Sequence, residues 1–347
     1  MYYVWYIFCI LEVFLSIRDV ERKQASMMRK TFLTLPLKVQ GVIWKTMACA
    51  CFAMMNIIVR YLTGGSGGVE KALSSSQIAF LQYLIGAIFF LPVLVKKETF
   101  EALKTGRKTL HLMRVVFAAS GVICLYYAFK SMPAAKAVAL GFTSPILTVI
   151  GAAFYLRERI GPFRLIGILF GFTGAFLITR PDQAFMGDSY DPLGWIIALP
   201  LLASACFAAS KVLGRKLASN GEAPKVLTTY ILIFMAPIML IPALVDWRPL
   251  EWEHFLYLIP LGIVATLGNL THAYCYKCAE ISFLAPFGFS RLLFTAFFAY
   301  SAFGELPRSE ALWIGAVIIF AGTVIICFQE DEGRKKIKAR AAPLSAG

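Results

Sequence analysis

Ten apolar runs of about 20 residues each set the terms for this 347-residue chain. They lie near 40–62, 76–95, 111–129, 134–156, 161–179, 193–214, 226–245, 255–276, 281–303 and 309–328. A helix of that length crosses roughly 30 Å of hydrocarbon. Hydrophobic residues make up 59% of the chain and charged residues 16%, and the mean hydropathy is +0.71. These values lie outside the range of soluble globular domains. The expected fold is an all-α integral membrane protein with ten transmembrane helices.

The second half repeats the first. Ala50-Cys51-Phe52-Ala53, with Arg60 and Leu62, recurs as Ala205-Cys206-Phe207-Ala208, with Arg215 and Leu217, at a shift of 155. Gly121, Tyr127, Lys130, Gly141, Phe142, Thr148, Ala152 and Glu158 recur 147 later as Gly268, Tyr274, Lys277, Gly288, Phe289, Thr295, Ala299 and Glu305. After one inserted residue, Ile166, Gly167, Phe172, Gly174 and Ile178 meet Ile314, Gly315, Phe320, Gly322 and Ile326. Identities that hold register over three blocks mean duplication. In a membrane chain, two repeats are the usual plan of a secondary transporter with its substrate site between them. The chain divides into an N-terminal extension (1–37), a first repeat of five spans (38–181), a second (192–330) and a basic tail (331–347).

The net charge of +14 argues for topology rather than for nucleic acid. Lys and Arg cluster before the first span, after the second, fourth and sixth, and in the tail. The alternate loops carry Asp182, Asp188 and Asp191, or Asp246, Glu251 and Glu253. The positive-inside rule therefore puts both termini in the cytoplasm, with lipid headgroups as secondary partners. Five spans per repeat make the second repeat enter the membrane inverted relative to the first. Residues 1–17 are apolar but broken by Glu12 and lack a leading basic stretch, so a signal peptide fits poorly. Translation from Met27 or Met28 is the expectation, with an eleventh span as the alternative.

The eight cysteines fall mostly in or beside apolar runs and are expected to pack as small side chains. The lone Cys275-x-x-Cys278 pair has no second pair or His cluster to make a metal site. No cofactor is expected. Glycines at 167, 171, 174, 315 and 322 allow close helix approach. Pro92 and Pro242 match late in the second and seventh spans. Pro145 and Pro286, within the fourth and ninth, are expected to bend their helices beside a gate.

Polar residues at membrane depth carry the functional signal, because they are expensive there and usually face a cavity or a partner. Arg291 stands near the middle of the ninth span, where the first repeat has Ser144. Asn56, Gln82, Asn269, His272, Tyr127 and Tyr274 complete the expected substrate-binding set, between spans one, three, four, six, eight and nine. Lys211 is expected to snorkel to the surface, and Glu158 and Glu305 to cap following helices. An arginine at that depth hints at an anionic group on the substrate.

The stretch Ala139-Leu140-Gly141-Phe142-Thr143-Ser144-Pro145, running on through Leu156-Arg157-Glu158-Arg159 to Thr179-Arg180-Pro181, resembles an EamA domain of the drug/metabolite transporter superfamily. So does its second copy, from Ala285-Pro286-Phe287 through Arg291-Leu292 to Phe303-Gly304-Glu305-Leu306-Pro307. The resemblance covers about residues 38–330 and comes closest to bacterial S-adenosylmethionine uptake and riboflavin-type members. It implies ten helices in two inverted five-helix repeats and alternating access around a mid-membrane cavity. It also implies a small organic substrate (S-adenosylmethionine-like, riboflavin-like or amino-acid-like) at the bacterial inner membrane. Many relatives carry Arg where this chain has Gln82. With no ATP-binding motif, transport would run on a coupling proton or a counter-substrate, in a monomer or homodimer.

The rival enzyme reading is an integral-membrane transferase acting on a lipid-linked substrate. Such chemistry needs paired acids on a metal, a His/Glu cluster or a Ser/His pair. The chain has three His and no D-x-x-D, H-E-x-x-H, G-x-S-x-G or P-loop pattern. A receptor or scaffold would need a soluble domain that neither the loops nor the tail can form.

Overall fold

A computed structural model describes residues 32, 34–64, 69, 71–95, 103–131, 140–141, 143–158, 160–179, 198–303, 313–315 and 317–322. The N-terminal extension to residue 31, Glu305 and the basic tail lie outside the described residues. Among the described residues the main helical segments are, in order, α1 (Leu37–Leu62), α2 (Ser75–Leu94), α3 (Lys108–Ser131), α4 (Thr143–Leu156), α5 (Pro162–Thr179), α6 (Ala198–Ser219), α7 (Pro224–Val245), α8 (Trp252–Cys278), α9 (Ile281–Leu284), α10 (Ser290–Phe303) and α11 (Trp313–Gly322). A 3-10 turn, Pro286–Phe289, separates α9 from α10.

Among the described residues, seven segments are long and apolar enough to cross a membrane: α1, α2, α3, α6, α7, α8 and the run Ile281–Ala302. Three shorter apolar helices, Thr143–Leu156, Pro162–Leu177 and Trp313–Gly322, complete the set among the described residues. The outside of the bundle is as apolar as its inside. Trp252 is 91% exposed and Val245 84%, a surface that water would punish and lipid accepts. This is a multi-pass membrane protein.

Local chemistry marks several helix boundaries. Gly64, at φ +78°, follows the last turn of α1, and Gly221, at φ +92°, closes the short loop between α6 and α7. Ser74 caps α2 by accepting a hydrogen bond from the Gln77 amide. Glu251 and His254 form a reciprocal capping box on α8. Pro224 starts α7, where its missing amide costs no bond.

Helix α8 packs along α1 and α2, and α6 packs along α3 and α4. Helix α7 lies against α2, α3 and α8, and α10 against α1. One apolar cluster joins α4–α9 through Val149, Ile168, Val212, Leu227, Tyr276 and Phe283. Another joins α1, α2 and α8 at the opposite end through Leu62, Leu81 and Leu258. Helices α5 and α11 meet through glycines. A Cβ on Gly174 would lie 2.6 Å from the Gly315 carbonyl oxygen, and one on Gly322 would lie 3.1 Å from that of Gly167.

The two prolines expected to bend helices lie at positions that the helix boundaries make specific. Pro145 stands in α4 four residues after Gly141, whose carbonyl accepts from the Ser204 hydroxyl. Pro286 opens the 3-10 turn that separates α9 from α10 within the run Ile281–Ala302.

Candidate functional site

Lys45, Cys49, Phe52 and Asn56 recur on α1 at steps of four, three and four, which places them on one face. That face meets α8 and α10. Lys45 Nζ lies 3.2 Å from His272 Nε2, close to the 3-10 turn, where a Cβ on Gly288 would be 3.7 Å from the same Nζ. The Arg291 guanidinium donates to Asn56 Oδ1 at 2.9 Å and lies 5.6 Å from the centre of the Phe52 ring, a cation–π distance. Phe52 also meets the His272 ring edge-on, and His272 contacts Tyr276 at 4.5 Å between centroids.

On α6 the matching face carries Ser204, Phe207, Lys211 and Arg215. Lys211 Nζ donates to Ser144 Oγ at 3.0 Å. This corrects the surface-snorkelling expectation: Lys211 turns inward, within electrostatic reach of Lys45 and Arg291. Lys45 was not expected at the site at all. It stands within the first apolar run, and its contact with His272 on α8 brings it to the group. The overlooked clue for Lys211 is its register, since a shift of 155 places it on Asn56 and puts it on the Phe207 face.

These contacts come in matched pairs at positions related by the sequence repeat. Arg291 to Asn56 corresponds to Ser144 with Lys211. The Cys49 thiol reaches the carbonyls of Phe287 and Gly288, and the Ser204 hydroxyl those of Leu140 and Gly141. Phe52 packs on Gly268 and Phe207 on Gly121, each closer than a Cβ would permit without adjustment.

Three cations therefore converge between α1, α6, α8 and α10. On insertion scales each costs about 2.5–3.5 kcal/mol at a spanning helix centre. None of the chain's 20 acidic residues lies in α1–α8 or between Ile281 and Phe303, apart from Glu253 in the first turn of α8. Among the described residues neutral acceptors alone hold these cations, which leaves a site electrostatically suited to an electron-rich or anionic group.

Of the remaining expected residues, Tyr274 and Asn269 have other partners. Tyr274 stacks on Trp44 at 4.9 Å. The Asn269 side-chain amide donates back to the Ala265 carbonyl of its own helix at 2.9 Å. Gln82 is buried in α2, while Tyr127, towards the end of α3, is 59% exposed. A further cation, Arg114, is buried on α3, where it donates to the Leu227 carbonyl at 3.0 Å and packs on Gly214.

At one end of the bundle a cavity of about 370 Å³ is lined by Leu156, Arg157, Glu158, Arg215, Lys216, Ser219 and Glu280. Glu158 does not cap the helix that follows it. Its carboxylate accepts from the Ile281 and Ser282 amides at 3.3 and 3.2 Å and from Arg215 Nε at 3.4 Å. Arg215 in turn donates to the Tyr276 carbonyl, and Arg164 bonds Glu280 and Ser282. The reason for the different partner is tertiary: α9 starts beside the end of α4, and its free amides attract the nearest carboxylate. Glu158→Gln removes the charge from a nearly buried pair and should cost about 2 kcal/mol. A lower unfolding temperature in detergent, with Glu253→Gln unchanged as the control, checks this. At the other end, Lys71 pairs with Glu251 and holds that carboxyl below its usual range.

The EamA-like transporter family matches the chain twice, at residues 39–180 and 194–328. The riboflavin transporter of Vibrio cholerae serotype O1 is 30% identical over 300 residues, covering 86% of this chain and 96% of that protein. The S-adenosylmethionine uptake transporter of Rickettsia bellii is 25% identical over 298 residues, covering 85% and 96%. One solved crystal structure superimposes with a TM-score of 0.71 over 84% of this chain and 98% of that one. At 16% identity, that likeness concerns the fold alone.

Proposed function

This chain belongs to the EamA-like transporter family and is a small-metabolite transporter, not an enzyme, and on that premise we propose that its substrate is a flavin-type metabolite. The carrying observation is the end-to-end match to a riboflavin transporter, read together with the chemistry of the interior group. A flat conjugated ring system suits the faces of Phe52, His272 and Tyr276, and its carbonyl edges suit the donors of Arg291, Lys45 and Lys211. Asn56, Asn269, Tyr127, Tyr274 and Gln82 are the further candidate contacts. S-adenosylmethionine ranks second, because its sulfonium would enter a site with three cations, where the surrounding helices carry no carboxylate beyond Glu253 in the first turn of α8.

The architecture we propose is two inverted five-helix repeats, 38–181 and 192–330, rocking about the site. The doubled family match and the exchanged contacts at Asn56/Arg291 and Lys211/Ser144 support this reading. The Pro286 turn is the proposed hinge beside the site. We place the protein in the bacterial inner membrane with both termini cytoplasmic, from the alternation of basic and acidic loops. Transport is driven by a proton or a counter-substrate, and the unit is a monomer or homodimer in contact with lipid headgroups.

Flux into liposomes tests the substrate. Saturable flavin entry, followed by its own fluorescence and absent from protein-free vesicles, is the expected result. Movement of S-adenosylmethionine without any flavin flux overturns the assignment.

A further inference from the structure

We propose that Lys45, Lys211 and Arg291 form a binding site for an anionic substituent of the transported molecule, so that the preferred flavin is the 5′-phosphate rather than neutral riboflavin. This rests on the flavin reading above and sharpens it.

The first support is the imbalance of charge. Lys211 lies within electrostatic range of both Lys45 and Arg291, and His272 within range of all three. No carboxylate on the spanning helices answers them, and like charges in a medium poorer than water repel strongly. The second is unspent bonding capacity. Among the described residues, Arg291 makes one hydrogen bond, to Asn56, although a guanidinium carries five N–H donors. Lys45 and Lys211 each meet one neutral partner, the His272 ring nitrogen and the Ser144 hydroxyl. A phosphate monoester offers three acceptor oxygens and up to two negative charges, enough to engage all three cations at once.

The third support is symmetry. The two cation contacts occupy repeat-related places, with the cation on α10 in one and on α6 in the other. An anion between them faces one cation from each side, and Lys45 on α1 adds a third. Phe52, beneath the Arg291 guanidinium, adjoins the same group, so an aromatic ring carrying an anionic tail has neighbouring surfaces for both parts.

Riboflavin and riboflavin 5′-phosphate differ only in the group at issue. Binding of each to the purified full-length protein, read by quenching of flavin fluorescence, should favour the phosphate at least tenfold. Lys45→Met and Lys211→Met should each bring that ratio towards one, while Lys211→Arg should retain it. Equal or tighter binding of riboflavin by the wild-type protein overturns the proposal and leaves the flavin reading intact. Binding of neither flavin overturns both. Inorganic phosphate that stabilises the protein as well as the flavin phosphate does also overturns it, by assigning the site to a free anion.

Discussion

Arg291→Met is expected to abolish transport while leaving the protein at least as stable as the wild type. The two effects separate because they draw on different terms. In the resting protein the Arg291 guanidinium gains a charge-assisted hydrogen bond to Asn56 and a ring contact with Phe52. Such a bond contributes about 1.5–3 kcal/mol. Against it stands the cost of a cation deep in a spanning helix, about 2.5–3.5 kcal/mol, with no carboxylate to offset it. Met keeps most of the volume, removes the charge and leaves Asn56 to find another donor. Stability should therefore change little or rise. Transport should be abolished, because on the proposed reading the substrate loses its central donor. Liposome flux and a detergent unfolding curve on the same preparation check both halves. Unchanged flux would remove Arg291 from the site, and a large loss of stability would make it a structural strut.

Gly174→Leu should have the opposite signature, a protein that no longer assembles. Helices α5 and α11 approach closely at Gly174 and Gly315. A single Cβ at 174 would sit 2.6 Å from the Gly315 carbonyl oxygen and 2.7 Å from Ile319 Cγ1. Backbone oxygen cannot rotate away, so the helices would have to part. Overpacking by a few methylenes typically costs about 1–3 kcal/mol in a close-packed interior. A leucine here also breaks the reciprocal contact of Gly322 with Gly167. Lipid supplies no hydrophobic drive to push the pair back together. Size-exclusion profiles in mild detergent should show aggregation or loss of the monodisperse peak. Gly106→Leu, at a glycine with open space around its Cβ position, should be silent. A monodisperse, fully stable Gly174→Leu protein would show that the contact between α5 and α11 is dispensable.

Membrane character and family were legible in the chain itself. Apolar runs of bilayer length report the solvent a helix needs, whatever its neighbours are. The identities that recur in register, such as Gly121 with Gly268 and Phe52 with Phe207, likewise need no coordinates to be seen. Arg291 was legible as a candidate because a charge mid-span is costly wherever the helix packs. Lys211 and Lys45 were not. A lysine near a helix end can reach the interface or turn inward, and only the position of Ser144 on α4 and His272 on α8 selects the inward course. Glu158 followed the same logic. Its sequence neighbour is α5, but the amides it satisfies belong to α9, which packing brings within 3.3 Å.

Local sequence alone therefore determined which segments enter the membrane and where the chain duplicates, because hydropathy and register are properties of one strand of residues. Tertiary structure decided which cations share a space, which carboxylate caps which helix and which glycines meet. Those outcomes depend on distances between segments more than a hundred residues apart, where attraction and repulsion act only once the helices have packed.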